Sequence, residues 1–398
     1  MRITSITPYV VSGAVSGISD SGGEYSCLVR IETDTGLVGW GEGATHHPYP
    51  DWGAPKILEL INTMFGPALI GHDPTEPMII WNELQALSVS TFGRPKWRFL
   101  DHKQKASTGA ISAIDIALWD INGQAKGQPI CKLLSNVIRS QIKVCVEVLF
   151  EDAWLTQFSS DAPWQPASAA IPEAQPFLDL EFDTFEVTIY GPLEKDMQTV
   201  RAARETFGRH ASIVVNNCTL DAPAEELVWA MSSARVSLFV EGFKLHSKEE
   251  LMPSVPVVWG EHKWNGKELC DEMAGGNVDI LRPNIISCGG FTALLRILAI
   301  AKPHPVLVMP SCSVYYGSGI ALAATIQASA AVPWNPANAE QETNAKEPMI
   351  RLSPDTLNIR NQLLVQKMDG SGGYLHVPQA PGLGTTVNEQ VLRRPTGI

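Results

Sequence analysis

The sequence predicts an α/β protein in which a parallel β/α barrel follows an α+β unit of about 125 residues. Two observations point there. From about residue 140 short apolar runs alternate with helical segments, and the runs lack strict in–out alternation, as expected of strands buried on both faces. No Gly-x-Gly-x-x-Gly turn follows the first strand, so the main sign of a dinucleotide-binding open sheet is missing.

Residues 2–11 alternate as a strand does, and 26–43 read as a hairpin in which IETDTGLVGWGEG places a polar Asp-Thr-Gly turn between two strands. Residues 53–66, 75–90 and 103–126 are helical. The third of these is the clearest, because Ile111, Ile114, Ala117, Leu118 and Ile121 recur at helical spacing before Gly127 and Pro129 stop it. The barrel units follow as FEVTIY with helix 194–207, SIVVNN with 222–234, LFVEG with 247–253, VPVVWG with 266–275, VDILRPN with 290–302 and VLVMPS with 317–330.

Composition narrows the function. The 398 residues are 44% hydrophobic and 18% charged, which excludes a disordered or fibrous chain. Lys+Arg 30 against Asp+Glu 42 gives a net charge of −12 without basic runs, so no nucleic acid partner is expected. No apolar run reaches the ~18 residues of a transmembrane helix, and MRITSITPYVV lacks the apolar stretch of a signal peptide. Seven scattered cysteines without a Cys-x-x-Cys pair read as buried free thiols, and a cytoplasmic location is expected.

In parallel barrels chemistry sits at the carboxyl ends of the strands. Those positions hold Glu186 and Thr188, Asn216, Glu241, Glu261, Asn284 and Ser311. Asn216, Glu241 and Glu261 come from three consecutive strands, and oxygen donors so placed suit a hard cation such as Mg²⁺; solvated acids at strand ends are the plainer alternative.

The segments SAIDIALWDINGQAKGQPICKLL, TDTGLVGWGE, DMQTVRAARETFG, VDILRPN with CGG, and PGLGTTVN occur in an order that resembles the mandelate racemase/muconate lactonizing enzyme group of the enolase superfamily. The resemblance implies a modified (β/α)7β TIM-like barrel with an α+β capping domain formed by the N-terminal region and the C-terminal tail. The expected divisions are 1–127 for the cap, 128–370 for the barrel and 371–398 for the segment returning to the cap. It also implies a Mg²⁺ ion on Asn216, Glu241 and Glu261 that polarises a substrate carboxylate while a base removes the neighbouring proton.

Several family positions are changed. Glu186-Val187-Thr188 stands where the family has Lys-x-Lys; Asn216 replaces an aspartate ligand, so weaker Mg²⁺ binding is expected; Asn284 and Ser311 replace an Asp–His pair. The proton-transfer work then falls to Lys244 or His262, with Glu186, Ser311 and Asn284 as further catalytic candidates. His46, His47, Tyr49, Tyr315 and Glu340 are the substrate-binding candidates. The expected activity is that of a lyase or isomerase acting on a small hydroxylated carboxylate, an acid sugar or its lactone, by α-proton abstraction and β-elimination. A catalytically degenerate member serving as a binding or scaffold protein is the alternative. A homo-oligomer without membrane partners is expected.

Overall fold

The computed structural model describes residues 1–13, 24–44, 53–94, 102–136, 138–148, 175, 177–189, 191–217, 225–241, 255–263, 269, 271–273, 275–312, 318–334, 347–352 and 361–392. Strands β1 (Ile3–Gly13), β2 (Glu24–Thr33) and β3 (Val38–Gly43) form an antiparallel meander, order β1-β2-β3. The expected turn joins β2 to β3, where Gly36 takes φ +82°, a value that glycine adopts without cost. Helices α1 (Ala54–Leu60), α2 (Gly66–Leu69), α3 (Pro77–Phe92) and α4 (His102–Lys126) follow.

The alternation of β3 decides how this unit packs. Gly39, Gly41 and Gly43 face α4, and a Cβ on them would lie 2.2, 1.9 and 2.2 Å from the carbonyl oxygens of Ala117, Ala113 and Gly109. Those helix residues recur every fourth position, so a stripe of small residues lets helix and strand backbones touch. Trp40 and Glu42 point the other way and are buried, Trp40 in the core cluster that also holds barrel residues.

After α5 (Ile130–Leu134), eight parallel strands build the barrel: β4 (Gln141–Val148), β5 (Thr184–Ile189), β6 (Ser212–Asn217), β7 (Val236–Glu241), β8 (Val257–Trp259), β9 (Ile280–Leu281), β10 (Leu307–Val308) and β11 (Met349–Leu352). Each pairs with its neighbour from β4 to β10, and β11 pairs with the other edge of β4. Although β10 and β11 end this ladder, Leu307, Met309 and Met349 share one core cluster with Cys145, Val214, Leu238, Val258 and Ile280. The sheet therefore curls until its ends meet around an apolar plug. The outer face carries helices, among them α6 (Leu193–Phe207), α7 (Glu225–Ser233), α8 (Gly290–Ala301) and α9 (Gly319–Ala331). A short antiparallel pair, β12 (Gly370–Ser371) and β13 (Tyr374–His376), extends the sheet beside β4. The five described cysteines are free and buried.

Three buried carboxylates tie the N-terminal unit to the barrel and to the C-terminal segment through backbone N–H groups. Glu42 accepts from the N–H groups of Ser318 (2.7 Å) and Ala321 (2.9 Å) at the start of α9. Asp115 accepts from the Thr292 N–H in the first turn of α8 (3.0 Å). Asp120 accepts from Trp40 N–H (3.0 Å) and from Leu383 N–H (2.8 Å), tying β3 and the C-terminal segment to one helix. The first two satisfy donors that a helix start leaves unpaired. The paired glycines of the CGG motif allow that approach: a Cβ on Gly290 would lie 2.3 Å from the Asp115 carboxylate, and Gly289 and Gly290 have φ of +112° and +80°.

Two tests follow from this packing. Gly41→Ala inserts a methyl where no space exists and should cost at least ~1–3 kcal/mol, measured by urea unfolding; an unchanged midpoint would refute the direct helix–strand contact. Burial pushes the Asp115 pKa up to about 7, against hydrogen bonds from Thr292 and Phe291 that lower it. The native state therefore binds a proton that the unfolded chain releases near pH 4, so this group adds stability as pH falls, by up to ~1.4 kcal/mol per unit. Asp115→Asn should compare best with wild type near pH 8 and fall progressively behind toward pH 5; a gap that stays constant with pH would contradict this.

Candidate functional site

Alternation along the barrel strands sorts the inward-facing residues into layers. Above the apolar plug, one inward position nearer the carboxyl ends, stand Glu147 on β4, Glu186 on β5, Arg282 after β9 and Arg351 on β11. Two residues further on, the inward positions are Thr188, Asn216, Asn284 and Ser311. Thr188 pairs with Asn216 across β5–β6, and Asn284 bridges Ser311. Among the described residues, the strand ends of β5 and β6 and the positions after β9 and β10 thus present uncharged polar groups over a charged layer.

The charged layer is continuous. Arg351 Nη1 donates to Glu186 Oε1 (2.6 Å) and Nη2 to Glu261 Oε1 (2.7 Å), while Glu147 Oε1 lies 3.6 Å from Nη1. Arg282 Nη1 reaches Glu186 Oε2 at 3.2 Å and Glu261 Oε2 at 3.8 Å. Asn216 Nδ2 donates to Glu186 Oε1 at 3.3 Å. All are buried, with Arg282 and Arg351 2% exposed and Glu186 0%. Burial would raise the Glu186 pKa, but the guanidinia of Arg351 and Arg282 outweigh it and hold the carboxylate below its ordinary range. Glu147 goes the other way: burial pushes it up to about 7, with Arg351 opposing and the neighbouring carboxylates of Glu186 and Glu261 reinforcing the shift. Glu147 Oε2, Thr188 Oγ1, Ser311 Oγ and the Nε atoms of Arg282 and Arg351 have no hydrogen-bond partner among the described residues.

The sequence candidates fall in different places. Glu186, Asn216, Glu261, Asn284 and Ser311 come together in these two layers. Asn284 spends its Oδ1 on the Ile286 N–H (3.2 Å). Glu186 serves as an ion-pair partner, a role its sequence position alone did not suggest. His262 follows Glu261 just beyond β8. Crowding by surrounding protein lowers its pKa first, Glu261 raises it, and Arg351 and Arg282 lower it further, so the imidazole is neutral at pH 7. Lys244, His46, His47, Tyr49, Tyr315 and Glu340 lie outside the described residues, and only the backbone of Glu241 is described. Sequence reasoning missed Glu147, Arg282 and Arg351. Their signal was present as single charges inside the apolar runs VCVEV, ILRP and MIRL.

Family models match nearly the whole chain: the mandelate racemase/muconate lactonizing enzyme N-terminal domain over residues 19–135 and the enolase C-terminal domain-like model over 170–391. The chain belongs to the mandelate racemase/muconate lactonizing enzyme group of the enolase superfamily. Among relatives of this superfamily, a D-galactarolactone cycloisomerase from Agrobacterium fabrum is 27% identical over 92% of this chain and 89% of its own. A D-galactonate dehydratase from Pectobacterium atrosepticum is 25% identical over 98% and 94%. The 3,6-anhydro-D-galactonate cycloisomerase from Zobellia galactanivorans superposes with a TM-score of 0.78 at 23% identity, covering 98% of both chains. The modified barrel with its capping domain is therefore the fold of this protein.

A solved mandelate racemase/muconate lactonizing protein from Paracoccus denitrificans, TM-score 0.76 and 21% identical over 98% of this chain and 97% of its own, is complexed with magnesium. The described residues of this enolase-superfamily chain do not fit such an ion. Glu261 is engaged by two guanidinia, Asn216 is neutral and turns an N–H toward Glu186, and no three His, Cys, Asp or Glu side chains among the described residues are arranged to hold a metal. A dication at bonding distance from Glu261 would lie within ~5 Å of Arg351, a repulsion of about 7 kcal/mol at an effective dielectric of 20.

If the charged layer is one network, its members should not be separable. Arg351→Met should cost ~3–5 kcal/mol because it strands buried carboxylates, whereas Arg351→Met with Glu186→Leu leaves Arg282 balanced by Glu261 and should cost less than the sum of the single changes. Urea unfolding of the four proteins measures this, and strictly additive costs would show that the groups act independently.

Proposed function

We propose that this chain is a lyase or isomerase acting on a small hydroxylated carboxylate, an acid sugar or its lactone, by α-proton abstraction followed by β-elimination. The observation that carries the reading is the rim of Thr188, Asn216, Asn284 and Ser311 over a layer of fixed guanidinium charge, at the barrel end where this fold does its chemistry. Relatives aligned over nine-tenths or more of this chain carry the names of a cycloisomerase and dehydratases of galactose-derived acids, which supports the substrate class. Dehydration expels a hydroxyl and cycloisomerisation a ring oxygen, each after loss of the proton beside the carboxylate, so one site chemistry serves both. A scaffold role draws no support from these relatives.

In this reading the hydroxyl and amide groups of the rim bind substrate hydroxyls. Cationic charge beneath them favours the electron density that builds on the substrate carboxylate as its neighbouring proton leaves. His262, neutral at pH 7 and at the end of β8, is the described group best suited to accept that proton. Lys244, after β7, is the second candidate.

Incubation in D₂O with D-galactonate, galactarate and galactarolactone, followed by proton NMR, should show exchange at the α-carbon of at least one acid. Silence across the panel would remove the enzymatic reading. His262→Gln should reduce any exchange by at least ~100-fold, the usual contribution of a positioned base; exchange at the wild-type rate would take His262 out of the reaction.

A further inference from the structure

We infer that Arg282 and Arg351 replace the divalent ion in this site, so that the protein holds its anionic ligand by guanidinium N–H groups and does so without Mg²⁺. Three features of the charged layer carry this. Arg351 touches carboxylates from β4, β5 and the end of β8, and among them is Glu261, one of the positions where the family pattern puts a metal ligand. Arg282, just past β9, reaches two of the same three carboxylates. Two cations are thus fixed beside Glu261, where a dication would otherwise bind.

The second feature is the charge balance. Glu186 and Glu261 are matched by Arg282 and Arg351, and Glu147 Oε1 faces Arg351 at 3.6 Å. The rim above has no ionised side chain at Thr188, Asn216, Asn284 or Ser311. Little negative charge remains among the described residues to hold a dication. The third feature is the set of unused donors. The Nε–H groups of both arginines, with the Thr188 and Ser311 hydroxyls, are buried without partners among the described residues. Unsatisfied buried donors are costly, and a guanidinium matches a carboxylate in geometry and in charge. Unlike a bound metal, this charge is part of the chain and cannot be removed by a chelator. The replacement of the ion stands on the network itself; only the identity of the anion rests on the function proposed above.

The test uses the full-length protein after dialysis against EDTA. Titration with Mn²⁺, followed by electron paramagnetic resonance, should show no stoichiometric site below about 1 mM free ion, and the melting temperature should be the same in EDTA and in ~10 mM Mg²⁺. One tightly held Mn²⁺ per chain, or a melting temperature raised several degrees by Mg²⁺, overturns the inference. D-galactonate as probe should raise the melting temperature equally with and without Mg²⁺; a rise that needs Mg²⁺ also overturns it. No Mn²⁺ site together with no response to galactonate sustains the replacement and counts against the substrate class alone. Arg351→Gln uncovers Glu186 and Glu261 and should bind Mn²⁺ at least tenfold more tightly than wild type, while equal affinity contradicts the inference. If that variant does not fold, the wild-type titration decides by itself.

Discussion

The guanidinium of Arg351, closed in the barrel among three carboxylates, is the interaction on which the interior depends. It belongs to the last barrel strand and holds groups from the first, the second and the fifth. A charge this deep persists because both of its terminal nitrogens meet carboxylate oxygens; stripped of them, its desolvation would be prohibitive. The same requirement works on the acids. Glu186 stays ionised at complete burial because both of its oxygens meet guanidinium nitrogens, whereas Glu147, with one oxygen left over, is pushed toward neutrality.

The seating of the cap follows a related rule. Glu42 and Asp115 end on the N-termini of α9 and α8, which begin at the carboxyl side of the barrel strands, the side that carries the polar rim. Each carboxylate answers backbone donors that would otherwise be unpaired. The glycines of β3, of the CGG turn and of the C-terminal segment make room for these contacts; a Cβ on Gly382 would lie 2.0 Å from Asp120. The cap is thereby fixed over the working end of the barrel by hydrogen bonds that need no bound ligand.

Much of the architecture was legible in the chain. The hairpin turned where Asp-Thr-Gly stands, α4 followed its apolar repeat, and the helices after β5, β6, β9 and β10 began within about three residues of their expected starts. The rim was also legible, since Thr188, Asn216, Asn284 and Ser311 stand at the ends of apolar runs. The charged layer was not. An arginine in MIRL or a glutamate in KVCVEV looks in a linear sequence like a solvated edge or a chance polar residue. Its partners are far away in the chain: Arg351 and Glu186 are 165 residues apart.

Sequence alone determined the kind of layers, because strand and helix periods are local properties of which side chains face the core. It also determined that the expected lysine, aspartate and histidine positions carry Thr188, Asn216, Asn284 and Ser311. The tertiary structure decided what replaces their charge. Curling eight strands into a barrel brings Glu147, Glu186, Glu261, Arg282 and Arg351 within a few ångströms of one another, and electrostatic energy depends on those distances and on exclusion of water, neither of which is written in residue order.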